Sequence, residues 1–397
     1  ETRPRQEVDT CWHLVAAAAL TTCLATVALS NSGFLYVNLM KEFAVNREVA
    51  SWPGSIIVAM CHIAGIIVAV LQRRISIFRI SLFGGMLSSI GFIASRFAPD
   101  MTWMNVTLGA IHGLGVGLTL LTLSIILTMH FDRYRGVALG FKYAGWSCSG
   151  ILFPKLLAFL EEEYGFRDAL LIFGAISLNI PALTLFLKEP PGKSLIAQNS
   201  ETAMIPKTSS WNCDPQSIGL ERVGRQKSDS SQSPGRGTKI LELLRRPMFF
   251  VIIIAAIAAD ITTFVNSSVL VDYAVDKGSA LAKAESLIIY GSISELVGRL
   301  IIPLLADKLL LRRCTVVMAN FFILGISMVL MPYATRYVEI ILGSLCISLS
   351  VGFLVSVKPV LMADYLGVEF ISACFGCSGL LLVPMLFFTP TIIGTYV

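Results

Sequence analysis

Charge is scarce in this chain of 397 residues: Asp, Glu, Lys and Arg make up 14% of it, against 55% hydrophobic types. The mean hydropathy is +0.74. A water-soluble fold has no way to hide that much apolar surface, so a soluble globular protein is excluded. Histidine is scarcer still. His13, His62, His112 and His130 are the four, and no carboxylate partner is visible for any of them, so they read as packing or interface groups rather than a proton relay. The nine cysteines are scattered, mostly within apolar stretches, and show no disulfide framework. Cys374 and Cys377 form a C-x-x-C beside Gly376 and Ser378, which reads as helix packing. A metal-ligand cluster, a nucleophile elbow and a phosphate loop are all missing, which argues against an enzyme, a metal and a cofactor. A cleavable signal peptide is also missing, because the first apolar stretch is too long and lacks a small-residue cleavage site.

What is present is a series of apolar windows. A bilayer core needs about 20 apolar residues in a helix, and eleven such windows occur: 11-37, 49-71, 77-98, 102-129, 136-160, 168-187, 247-271, 284-306, 314-333, 337-362 and 370-394. Backbone groups in lipid must be satisfied within the segment, so runs of this length are helices and the fold class is an all-α membrane protein. Basic residues mark alternate loops. Arg3 and Arg5 precede the first window, Arg73, Arg74 and Arg79 follow the second, Arg133 and Arg135 the fourth, and Lys308, Arg312 and Arg313 the eighth. The remaining loops are neutral or acidic, as at Glu161-Glu162-Glu163, Asp272 and Asp276. This places the N-terminal segment, 1-10, in the cytoplasm. The same bias accounts for the net charge of +5 without nucleic acid.

The only long polar segment, 189-245, opens Glu189-Pro190-Pro191-Gly192 and is rich in Ser, Gln, Gly and Arg, so it reads as a disordered cytoplasmic linker. It separates a six-helix half, 11-188, from a second half, 246-397, with five windows. Six spans, a loop and six more is the organisation of the major facilitator superfamily, with the solute near the midplane. The chain starts at Glu1 and ends at Val397 straight after an apolar stretch, so a twelfth span is expected beyond it. Gly109, Gly113 and Gly117 recur every four residues and fit close helix packing. Asn105-Val106-Thr107 and Asn266-Ser267-Ser268 fit the glycosylation sequon, close to the membrane on the outer side.

An ionisable group in mid-span costs about 2.5 to 3.5 kcal/mol even on a lenient scale, so each one requires a partner or a function. Asp260 lies too deep for its short side chain to reach water. Glu295 and Arg299, at i and i+4, share one helical face and allow a direct ion pair; this is a self-neutralising structural pair or a switch in which Arg299 takes a solute carboxylate. Lys142 and Lys358 lie within about two turns of the cytoplasmic end, where snorkelling to the interface competes with a functional role. Asp260 offers charge compensation for one of these cations.

Particular segments resemble the monocarboxylate transporter family of that superfamily. Its first signature, Asp-Gly-Gly-Trp-Gly-Trp, is met by Asp9-Thr10-Cys11-Trp12-His13-Leu14, which keeps Asp9 and Trp12. Its second, Tyr-Phe-x-Lys-Arg-Arg-x-Leu-Ala-x-Gly-x-Ala-x-Ala-Gly, is similar to 130-145, with Phe131, Arg135, Ala138, Gly140, Ala144 and Gly145 matching and Arg133 keeping the charge. The eighth span carries an acid four residues before an Arg, as in the family. Leu270-Val271-Asp272-Tyr273-Ala274 and Asp364-Tyr365-Leu366-Gly367 also look like family segments.

The resemblance implies a solute carrier for monocarboxylate-type acids in the plasma membrane, working by alternating access, by symport or facilitated movement. It also implies a possible single-span immunoglobulin-type chaperone beside the lipid. Counting back seven residues from Lys41-Glu42 gives Phe34 where proton-coupled members carry a Lys, which puts proton coupling in doubt. Facilitative movement of an aromatic amino acid or related zwitterion is open, as is a non-transporting sensor or scaffold. The candidate substrate and coupling residues are therefore Arg299, Glu295, Lys142, Asp260, Lys358 and Phe34.

Overall fold

The structure, a computed structural model, describes residues 10-187, 245-278, 281-308 and 313-396. The expected linker lies outside the described residues apart from Arg245, as do Arg3, Arg5, Asp9 and Arg312; the side chains of Asp272, Asp276, Lys308 and Arg313 do so too. Among the described residues every regular element is a helix. The first span is broken into α1 (Trp12–Ala25), α2 (Val27–Ser30) and α3 (Ser32–Phe43). The breaks at Thr26 and Asn31 follow from side chains that bond back to backbone carbonyls: Thr22 to Ala18, Thr26 to Thr22 and Asn31 to Val27. Such local bonds compete with the helical ladder.

Next come α4 (Arg47–Leu71), capped by the Asn46 side chain on the Val49 amide, and α5 (Ile77–Ser95), capped by Ser76 on the Arg79 amide. The fourth span joins α6 (Met101–Met104), a π-helical stretch over Asn105–His112 and α7 (Gly113–His130). The helix α8 (Arg135–Tyr164) stops at Gly165, whose φ of +80° favours glycine. Then follow α9 (Phe166–Ser177) and α10 (Asn179–Thr184). The second half holds α11 (Pro247–Asp276), α12 (Leu281–Lys308), α13 (Arg313–Leu330), α14 (Tyr337–Leu366) and α15 (Ile371–Tyr396).

Eight helices among the described residues are long and apolar enough to cross a membrane, and two shorter apolar ones, Trp12–Ala25 and Pro247–Thr263, lie in the first and seventh windows. The fifth window is α8, which matches α14 in length but is less apolar. Its polar Lys142, Ser147 and Ser149 are buried against neighbouring helices instead of facing lipid. The opposite pattern holds on α13, where Met318, Phe322 and Val329 are exposed as a lipid-facing surface requires.

Successive connections alternate between two ends of the bundle. At one end, Arg96 pairs with Asp168 at 2.7 Å, and Arg167 pairs with Glu42 at 2.6 Å and donates to the Ala98 carbonyl. These ties join the connections after α3, α5 and α8. The other end, hereafter the basic end, carries Arg73, Arg74, Arg133 and Arg135. There Trp12 meets Phe131 edge-on at 5.1 Å and Tyr134 at 6.5 Å. Residues from the two signature segments therefore pack on each other.

Glycines set the helix spacing inside the bundle. Those at 109, 113 and 117 bring the fourth span against Ile56, Ile57 and Cys61 of α4. The helix α8 lies between the halves: a Cβ at Gly145 would strike the Ala19 carbonyl of α1, and one at Gly140 the Arg299 carbonyl of α12. Likewise Gly298 faces the Leu349 carbonyl and Gly352 the Glu295 carbonyl, which locks α12 against α14. Asn105 is part of the π-helical stretch, with its Oδ1 buried and unpartnered.

Candidate functional site

Because α8 and α12 touch through glycine, polar side chains of both halves meet at the centre. The Arg299 side chain is 2% exposed, and its Nη2 donates to Glu295 Oε2 at 2.7 Å. Its Nη1 crosses to the first half, donating to Ser147 Oγ at 2.6 Å and to the Tyr143 carbonyl at 3.1 Å. The guanidinium also lies 5.7 Å from the Trp146 ring centroid. Its Nε is buried with no partner.

A second ion pair sits apart from the first. Lys358 Nζ on α14 donates to both carboxylate oxygens of Asp260 on α11, at 2.6 and 2.9 Å, and lies 5.0 Å from the Phe375 ring centroid. Lys142 is fully buried. Its ammonium donates to the Leu120 carbonyl and to Ser124 Oγ, both at 3.0 Å, and lies over the Tyr143 ring at 3.7 Å.

Snorkelling, expected as the competing reading for both lysines, is therefore not what they do. The fourth span supplies acceptors beside Lys142, and Asp260 draws Lys358 inward. His62 of α4 also differs from expectation, for it lies within electrostatic reach of Asp260 and Lys358. Sequence separation hid that juxtaposition. His112 instead bonds Ser88 within the first half.

The site thus gathers Arg299, Glu295, Lys142, Asp260 and Lys358, and sequence reasoning passed over His62, Tyr143 and Ser147. Of the three basic side chains there, Arg299 and Lys358 each have a carboxylate partner, and Lys142 is held by a carbonyl and a hydroxyl. Phe34 is elsewhere, on α3, partly buried in an apolar cluster with Leu35 and Leu39. The described motif residues Trp12, Arg133, Arg135, Gly140 and Gly145 make packing and ion-pair contacts. Arg135 pairs with Asp132 at 2.9 Å and with Asp364 of the other half at 2.8 Å, and Arg133 lies over the Tyr134 ring. Among the described residues no cluster of His, Cys, Asp and Glu is built to hold a metal.

A two-halved helical bundle with its charges collected at the seam has the form of a membrane transporter. The model of the Major Facilitator Superfamily matches residues 18–393, and the chain belongs to that superfamily, as a divergent member of its monocarboxylate transporter group. Monocarboxylate transporter 13 of Rattus norvegicus is 24% identical over 392 residues, covering 97% of this chain and 83% of that protein. Monocarboxylate transporter 12-B of Danio rerio is 22% identical over 92% of this chain and 76% of that protein. Human monocarboxylate transporter 14 is 27% identical over 195 residues, 48% of this chain and only 38% of its own length. Among solved structures, the superfamily transporter FucP in its outward conformation aligns with a TM-score of 0.64 at 16% identity, over 97% of this chain and 95% of that one. At that identity the likeness concerns the fold.

Proposed function

We propose that the protein moves monocarboxylate-type organic acids across the plasma membrane by alternating access, with its N-terminus in the cytoplasm. The observation that carries this reading is the Arg299 guanidinium, which is buried at the seam, bonds Glu295 on its own helix and bridges to α8 of the other half. Arg299 is the docking group. A solute carboxylate takes one edge of its planar guanidinium in place of Glu295, a geometry suited to bidentate pairing. Because the same guanidinium bridges α12 to α8, rebinding it alters a contact between the halves, which couples binding to reorientation. The positive-inside rule supports the orientation, and the names of the relatives support the solute class.

The test is uptake of radiolabelled organic acids into proteoliposomes, with and without Arg299→Ala. Loss of one partner of a buried charge pair costs about 2 to 5 kcal/mol, so uptake at limiting solute is expected to fall at least about 30-fold. Undiminished saturable uptake by the variant would overturn the role of Arg299. A second reading, an amino acid or related zwitterion, is favoured by Asp260, whose carboxylate a solute ammonium takes in place of Lys358. Competition by phenylalanine against phenylpyruvate, which differ at the α-carbon, separates the two. Absence of flux for all of them, with ligand-dependent thermal stabilisation, would point to a sensor or scaffold.

A further inference from the structure

An acid docked at Arg299 still needs a wall for its carbon skeleton, and Trp146 of α8 stands beside the dock. Its ring centroid lies 5.7 Å from the Arg299 guanidinium carbon. The second signature ends at Gly145, one residue earlier, so the motif assigns this side chain nothing. Helical geometry fixes where it stands. Phe141, Leu152 and Phe159 are exposed on the lipid side of α8, and at 3.6 residues per turn Trp146 lies about 120 to 140° round from each of them. On one side of it are Tyr143 and Ser147, which bond Arg299, and on the other is Lys142, which bonds the fourth span.

Gly145 and Ser147 are buried, whereas Trp146 between them is only half-buried. Part of the indole surface therefore opens into the bundle and not onto lipid. Its backbone is held in place, since the Ser30 hydroxyl of α2 donates to the Trp146 carbonyl at 3.4 Å. A ring fixed in this way loses little freedom when a solute meets it. The dock adds a direction. Nε and Nη2 share one edge of the guanidinium, an edge that matches a bidentate carboxylate, yet Glu295 uses Nη2 alone and Nε is buried without a partner. Nη1 meanwhile stays tied to α8, the helix that carries Trp146. A carboxylate that takes the Nε and Nη2 edge thus binds beside the indole. Aromatic rings pair with centroids about 4.5 to 7 Å apart, so a ring a few bonds from that carboxylate is in range.

We propose that Trp146 is a specificity-determining residue: it stacks on a ring carried by the acid docked at Arg299, and so selects aryl-bearing carboxylic acids over short aliphatic ones. The proposal deepens the transport reading and rests on it for the dock. A short acid such as propionate fills the dock and leaves the indole uncovered. An aryl ring covers the indole, which removes apolar surface of both partners from water and adds the attraction between the rings.

The experiment compares propionate with 3-phenylpropionate, which differ by one phenyl ring, as competitors for radiolabelled 3-phenylpropionate bound to the full chain in detergent. Proteoliposome uptake of both acids runs beside it. The wild type is expected to bind 3-phenylpropionate at least about tenfold more tightly than propionate. Trp146→Ala cuts that ratio by about tenfold and leaves propionate affinity within about twofold, whereas Trp146→Phe, which keeps an aromatic face, holds the ratio to within about threefold. Each variant's melting transition reports that it has folded. A wild type with no preference, or an alanine variant that keeps the full ratio, would overturn the proposal. Equal loss of both acids in the alanine variant would also overturn it, since Trp146 would then merely support Arg299. Binding with the expected ratio but without uptake would sink the transport reading alone, and no binding of either acid to the wild type would sink the dock and the proposal together.

Discussion

Arg299 bonds through two of its three nitrogens, Nη2 to Glu295 and Nη1 to α8, and leaves Nε without a partner. A lysine cannot reproduce that fork, so Arg299→Lys is expected to lose uptake nearly as completely as the alanine variant while melting close to the wild type. Glu295→Gln removes the competitor for the guanidinium; carboxylate binding tightens and uptake slows, because the empty site no longer resets. Equilibrium binding measured beside flux checks both halves of that statement. Lys142, a buried ammonium held only by a carbonyl and a hydroxyl, is costly where it stands. Lys142→Met is expected to raise the melting temperature by a few degrees and lower uptake. At this scale the sequence was legible where partners share a helix, as Glu295 and Arg299 do. Across helices it was legible only in outline: Asp260 was expected to compensate one of the two lysines, and the fold selects Lys358, 98 residues away.

The helices were read well from hydropathy because lipid imposes one rule along the whole chain, that every backbone group be satisfied within its own segment. All eleven windows fall on helices. The π-helical stretch over Asn105–His112 and the breaks at Thr26 and Asn31 were not legible, since they depend on what each helix packs against. Two glycines of the second signature, Gly140 and Gly145, turn out to press α8 onto α12 and α1. Valine at either position must push a backbone carbonyl aside, so Gly140→Val and Gly145→Val are each expected to destabilise by about 1 to 3 kcal/mol or more. Thermal melting of the purified variants measures it. By contrast Gly33 and Gly54, where an added Cβ meets nothing within 4 Å, are expected to tolerate alanine without loss.

At the scale of the molecule, the two halves are tied at the basic end. Arg135 reaches Asp364, Gln72 donates to the Glu369 carbonyl, and α4 crosses α15 at Gly65 and Gly376. The sequence marked Arg135 and the Asp364 segment separately, as parts of two motifs, but their pairing needed the fold. Opening at this end must break that pair. A partly exposed ion pair is worth about 0.2 to 1 kcal/mol, so Asp364→Asn is expected to raise the open population by up to about fivefold. Cys314, whose thiol donates to the neighbouring Tyr365 hydroxyl, reports it: the labelling rate of a variant keeping only that cysteine rises accordingly. An unchanged rate would mean that the closure rests on the α4 and α15 crossing.

The glycine crossings also carry a genetic consequence. Every single-base missense change in a glycine codon gives Ala, Val, Ser, Cys, Asp, Glu, Arg or Trp, and all eight possess a Cβ. At Gly140, Gly145, Gly298 and Gly352 that atom would fall on a backbone carbonyl of a neighbouring helix. These four codons therefore have no mild missense neighbours. Inherited variation in the gene should be sparse at them even where the flanking lipid-facing residues drift freely.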